Sequence, residues 1–262
     1  MFLAFEHRPS DSPLIARVWR CHSTHPGTLL SVAATHCELV LTRHRGHLRV
    51  TLRGPETKPS QIDVPADAEW IGIRLATGVY LPQHPAAQLR DRQDLDLPLA
   101  TRRTFWLDGS AWDVPTFDDA ESLVAGLSRA GLVARDPAVA DALAGDPAAP
   151  SGDDEALTAR PRTVRTVQRH FLLATGMTHR TWRQIQRARQ AAVLLRSGAS
   201  IAEAVHGAGY YDQAHLTRSL RRRIGTTPAR IQREEQQLSF LYKTPAWADG
   251  KLVGLSPGVE PS

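Results

Sequence analysis

The sequence predicts an α+β chain: a strand-rich amino-terminal domain, a small sheet or half-barrel, followed by an all-α carboxy-terminal domain. Three observations carry that expectation. Short apolar or alternating runs broken by turn residues fill about 14–114, helical periodicity sets in from Phe117, and the arginines gather late in the chain. Segment 160–235 holds fifteen Arg, no Lys and four acidic residues, a net of +11, so the formal charge of +5 leaves −6 for everything else. With 262 residues at 42% hydrophobic content, the chain can bury the cores of two small domains.

Strands are expected at 15–19, 29–33, 38–42, 47–52, 70–75 and 104–107, with turns at His25-Pro26-Gly27, Arg45-Gly46, Gly54-Pro55 and Pro82. From Phe117 to Arg129 the period changes: Leu123, Val124 and Leu127 share a face, and Asp118, Asp119 and Glu121 suit the positive end of a helix dipole. A second short helix is expected over 137–143, capped by Asp136. The Gly, Pro and Ser content of 145–152 marks a flexible connection. The expected organisation is therefore domain 1–145, linker 146–152, domain 153–235, and a poorly ordered tail over 236–262.

In the basic segment, Ser200 can cap a short helix from Ile201, Gly209 can end it, and Asp212 can cap the next, which runs to Gly225. This is helix-turn-helix order, with the second helix placed to enter a DNA major groove. Leu216, Leu220 and Ile224 recur at spacing four and form a core stripe, so Gln213, Ala214, Thr217, Arg218 and Arg221 point elsewhere. Gln matches the adenine edge and Arg the O6/N7 edge of guanine, while Arg222 and Arg223 are expected on phosphates. His215 flanks the stripe and fits either side. A fainter unit lies upstream: Thr163 can cap a helix with Val164, Val167 and Phe171 inside, Arg165, Gln168 and Arg169 outside, and Gly176 at its end. Its partner helix would be 153–159. Between the two units, 179–196 reads as a long helix with Trp182, Ile185, Ala188, Ala192 and Leu195 inward, a spacer of roughly 25 Å. Two recognition helices can then sit about one DNA turn apart.

The second unit resembles the AraC-type transcriptional regulators. The resemblance rests on Gly209-Tyr210, Asp212, Ala214, Leu216, Arg218, Leu220, Arg221, Gly225 and Thr227-Pro228, and in the first unit on Arg169, Phe171 and Gly176. Leu216, Leu220 and Ile231 stand where that family usually carries aromatic residues. The resemblance implies a sequence-specific regulator with DNA-binding residues Gln213, Ala214, His215, Thr217, Arg218, Arg221 and Arg222, joined by Arg165, Gln168 and Arg169. It also implies a sensor or oligomerisation role for the amino-terminal half. The implied partners are double-stranded DNA, a small-molecule effector, RNA polymerase and a second copy of the chain.

Other chemistries find less support. Two cysteines, Cys21 and Cys37, are too few for a disulfide scaffold. His22, His25, His36, His44 and His47 lack tight ligand spacing, so no metal and no cofactor is expected. Trp19, Trp70, Trp106 and Trp112 are read as core filling ahead of a pocket lining. No nucleophile elbow or phosphate-cradling loop is present, and the chain is expected to be no enzyme. The alternatives kept open are a DNA alkyl-transferase acting through Cys21 or Cys37, and a sequence-blind nucleoid-type binder held by Arg–phosphate contacts. Without a secretory start or an apolar run near 20 residues, a soluble, cytoplasmic protein is expected.

Overall fold

Period-two burial builds the amino-terminal half. The computed structural model describes residues 3–92, 94–99, 101–144, 164–233 and 238–239. Strands β1 (Leu3–Arg8), β2 (Ile15–Ser23), β3 (Gly27–Ser31), β4 (Glu38–His44), β5 (His47–Arg53), β6 (Ser60–Val64), β7 (Ala68–Leu75), β8 (Val79–Tyr80), β9 (Leu95–Leu97), β10 (Thr104–Leu107), β11 (Ser110–Asp113) and β12 (Ala134–Arg135) come with helices α1 (Ala86–Leu89), α2 (Ala120–Arg129) and α3 (Pro137–Ala144). Six strands form an antiparallel sheet in the order β1-β2-β7-β4-β5-β9.

Alternation along the central strands feeds two layers. Val18, Leu39, Leu41, Ile73 and Leu75 face a core closed by Leu123, Val124 and Leu127 of α2. Trp19 and Val40 face the other way, onto Leu29 and Val64 of the β3–β6 pair. Gly72 lies opposite Trp19 in the ladder because the indole occupies its Cβ position: a methyl there would come within 2.0 Å of the ring. The Arg45-Gly46 turn between β4 and β5 has both residues at positive φ, the two-residue geometry that matches strand twist. Asp108-Gly109 repeats it between β10 and β11.

Two expectations are corrected in this half. Helix α2 begins at Ala120 instead of Phe117, because the Asp119 carboxylate accepts from the Thr116 amide at 2.6 Å and holds a turn ahead of the helix. Phe117 is buried in the core, with the guanidiniums of Arg8 and Arg20 over its ring. Of the four tryptophans read as core filling, Trp19 is buried, Trp70 and Trp112 are half-buried, and Trp106 is 45% exposed. Alternation on a two-stranded hairpin leaves that last ring outside.

The helical half comprises α4 (Val164–Thr175), α5 (His179–Arg196), α6 (Ile201–Gly207), α7 (Gln213–Arg223) and α8 (Pro228–Gln232). Trp182, Ile185, Ala188, Ala192 and Leu195 are all buried along α5, as their spacing predicts. The expected linker 146–152, the helix 153–159 and the Thr163 cap lie outside the described residues, as does the tail beyond Ser239. Where the tail begins, Leu238 is buried and forms a parallel bridge with Leu30 of β3, while the Ser239 amide donates to the Leu30 carbonyl at 3.0 Å. An isolated Leu carries no periodicity from which that docking could be read.

The two halves share their cores. Leu30 and Val32 pack among α5, α6 and α7, and Ala33, Val139 and Leu143 pack against Phe171, Met177 and Trp182. Polar contacts cross the same seam: the Arg90 Nη1 donates to the Gly176 carbonyl at 2.6 Å, and the Ala33 amide to the Arg223 carbonyl at 2.9 Å. Asp136 caps α3 through the Ala138 amide, and its other oxygen lies 2.6 Å from His170 Nδ1 on α4.

Candidate nucleic-acid interface

Local capping chemistry sets the second helix-turn-helix. Ser200 and Glu203 form a reciprocal capping box on α6, each side chain accepting from the other residue's amide. Gly209 closes α6 at φ +66°, and Asp212 Oδ1 accepts from the His215 amide at 2.6 Å to start α7. Thr227 caps α8, with Pro228 in its first turn. Leu216, Leu220 and Ile224 are each fully buried, in a core that includes Ala188, Ala192, Leu195 and Ala204. Ile231 is buried in the same core, so aliphatic residues fill the places of the aromatic ones.

With that stripe inside, Gln213, Ala214, Arg218, Arg221 and Arg222 are exposed on α7, and His215 and Thr217 are half-buried. His215 stands edge-on to Tyr210, with ring centroids 5.1 Å apart. Tyr210 is itself held by Ser219, hydroxyl to hydroxyl at 2.8 Å, and by the Arg187 guanidinium 4.5 Å above its ring. These contacts tie the turn to α5 and to the middle of α7.

Arg223 corrects the phosphate assignment. It is 5% exposed, its Nη1 donates to the Thr57 carbonyl at 2.7 Å, and its Nη2 donates to Gln184 Oε1 at 2.8 Å. Burial, and after it the charge of Arg222, lowers its pKa. Arg223 lies three positions after Leu220, beside the buried stripe of α7, and turns into the seam. Arg223→Met keeps the buried stem and leaves the Thr57 and Gln184 acceptors unpaired. A loss of about 1–3 kcal/mol in urea unfolding is expected, and an unchanged midpoint would remove Arg223 from the seam.

Sequence reasoning missed Tyr211, which is 91% exposed immediately before the α7 cap. The signal was present: in Gly209-Tyr210-Tyr211-Asp212 the first ring is needed by the core, so the second is released to solvent. Upstream, Arg165, Gln168 and Arg169 are all exposed on α4, while Phe171 is buried against Trp182. Helix α5, 18 residues and ~27 Å long, lies between the two units in the chain.

Cys21 and Cys37 are both buried, and burial pushes the Cys37 thiol up to about 12, away from the thiolate an alkyl acceptor needs. Among the described residues, no helix is long and apolar enough to cross a membrane.

Comparison with known proteins places a family match on the helical half. Residues 162–234 match a family model described as a helix-turn-helix domain. The chain is 37% identical over 92 residues to the HTH-type transcriptional regulator RipA of Corynebacterium glutamicum, a match covering 35% of this chain and 28% of that protein. The aligned part is thus little more than a quarter of the relative's length. No solved structure matches. A reciprocal capping box, a glycine-closed turn and a buried Leu-Leu-Ile stripe all fall inside residues 162–234, the segment that matches the AraC-type helix-turn-helix model.

Proposed function

We propose that the chain is a sequence-specific DNA-binding transcriptional regulator that reads major grooves through α7 and, one spacer helix away, through α4. The observation that carries this reading is the division of α7: Leu216, Leu220 and Ile224 buried, Gln213, Ala214, Arg218 and Arg221 exposed. Arg218 is assigned to a guanine edge, Arg221 and Gln213 to neighbouring bases, and Arg222 to a phosphate. On α4 the equivalent assignments are Arg165, Gln168 and Arg169. The strand-rich half serves as the sensor or dimerisation element, and RNA polymerase is the partner through which binding changes transcription.

The test is selection of bound sites from random DNA at two salt concentrations, followed by Arg218→Ala on the selected site. A sequence-blind binder loses affinity with salt equally on all DNA, whereas base readout leaves a preference that persists. Arg218→Ala is expected to cost about 1–3 kcal/mol on the selected site, to relax preference at one base pair and to lose little on random DNA. Equal loss on both would reduce Arg218 to a phosphate contact.

A further inference from the structure

Counted back from the glycine that closes each helix, α4 and α7 correspond position by position. Arg169, Phe171 and Gly176 stand where Arg218, Leu220 and Gly225 stand, with Phe171 and Leu220 both buried and both glycines at positive φ, +69° and +86°. In that correspondence Leu172 takes the place of Arg221, and Leu173 the place of Arg222. The last turn of α7 is basic, whereas the last turn of α4 holds no basic residue.

Both leucines are on the outside: Leu172 is 42% exposed and Leu173 46%. Leu172 follows Gln168 by four positions and Arg165 by seven, so it continues the face of those two exposed side chains, and Leu173 follows the exposed Arg169 in the same way. Phe171 and Ala174, on the other face, are buried. An aliphatic side chain has no donor for a phosphate or a base edge. What it matches in a major groove is the C5-methyl group that thymine shows there.

We propose that Leu172, with Leu173 beside it, selects thymine in the half-site occupied by α4 by packing on the C5-methyl group. The two units then differ in chemistry. At the position where α7 offers the donors of Arg221, α4 offers an apolar surface. Leu172 lies one helical turn, ~6 Å, beyond Gln168, which places the thymine within about two base-pair steps of the Gln168 contact. The inference rests on α4 lying in a major groove, as in the function proposed above.

The experiment takes the site selected from random DNA and replaces its thymines one at a time by deoxyuridine, which keeps every hydrogen-bonding group and lacks only the methyl. Affinities of the full chain, of Leu172→Ala and of the double variant Leu172→Ala/Leu173→Ala are measured on each duplex. For the wild type, one or two replacements in the half-site away from the Arg218-dependent base pair are expected to weaken binding by about three- to fourfold each, the worth of one buried methyl group. In Leu172→Ala the same replacements are expected to change affinity by less than about twofold, the scatter of uncoupled sites. Penalties that persist in both variants, or a half-site in which no thymine methyl matters, overturn the inference and leave the regulator reading standing. Selection that yields no preferred site overturns that reading and the inference with it. If protein covers the leucines instead, as another part of the chain or a second copy, Leu172→Ala lowers the urea midpoint or the sedimentation mass and leaves the uridine penalties unmoved, which also overturns it. Should the double variant not fold, the single one decides; should Leu172→Ala not fold, Leu172→Arg decides on the same criterion.

Discussion

Trp182→Ala is expected to lower the unfolding free energy by about 3–5 kcal/mol, the range for emptying a buried Trp site. The ring is fully buried where α3, α4, α5 and the strand-rich half meet, among Ala33, Val139, Leu143, Met177 and Ile185. Phe171 packs edge-on against it at 6.2 Å and His179 stacks at 6.1 Å. Removing it opens a hole bordered by elements from both halves, none of which can collapse without dragging another. The indole N–H has no hydrogen-bond partner among the described residues. Trp182→Phe therefore keeps most of the packing and deletes an unsatisfied donor, and its cost is expected to stay below about 1.5 kcal/mol. Urea titration of both variants checks the pair. An alanine variant losing no more than the phenylalanine variant would mean that the site is loosely packed.

Gly176→Ala is the second large effect, and Gly209→Ala is its internal control. Both glycines end helices in the left-handed region, at φ +69° and +66°. Their surroundings differ. A methyl on Gly209 meets nothing within 4 Å, whereas one on Gly176 lies 2.6 Å from the Ala86 carbonyl oxygen and 3.0 Å from the Ala87 amide nitrogen. The left-handed backbone costs a side chain about 1–2 kcal/mol at either position. At Gly176 the backbone of α1 must also move, adding about 1–3 kcal/mol of overpacking strain, and the bond from Arg90 to the Gly176 carbonyl is disturbed with it. Gly176→Ala is thus expected to lose about 2–5 kcal/mol in total. Thermal or urea unfolding of the two variants isolates the seam contact, and equal losses would show that α1 does not press on Gly176.

Legibility followed the locality of the forces. The punctuation of α6 and α7 was readable because a cap involves residues three apart, and Ser200, Gly209 and Asp212 each act within one turn. The α7 stripe was readable because one face packs and the other does not. In the strand-rich half, β2, β4, β5 and β7 announce themselves by apolar density, but β1, β6 and β11 do not. Their burial is broken and their partners lie elsewhere in the sequence: Leu3 opposite Ser23, and Ser60 opposite Ser31. For β11 the Asp108-Gly109 turn was the available signal.

Within the candidate interface, Gln213, Ala214, Arg218, Arg221 and Arg222 could be assigned to the outer face from spacing, and Arg223 could not. Its direction depends on Thr57 and Gln184, which the chain brings to it from 166 and 39 residues away. Tyr210 and Tyr211 are identical in type and adjacent, yet one is in the core and the other 91% exposed, a choice made by Ser219 and Arg187.

The sequence by itself determined the α+β order, the caps, the face of α7 and the concentration of arginine in the helical half. These depend on periodicity and on hydrogen bonds within a few residues. Tertiary structure alone decided that the halves share cores, that Gly176 and Arg223 serve the seam, and that Leu238 docks on β3. Such features arise from close packing between segments far apart in the chain, where shape and buried charge choose partners that no local pattern encodes.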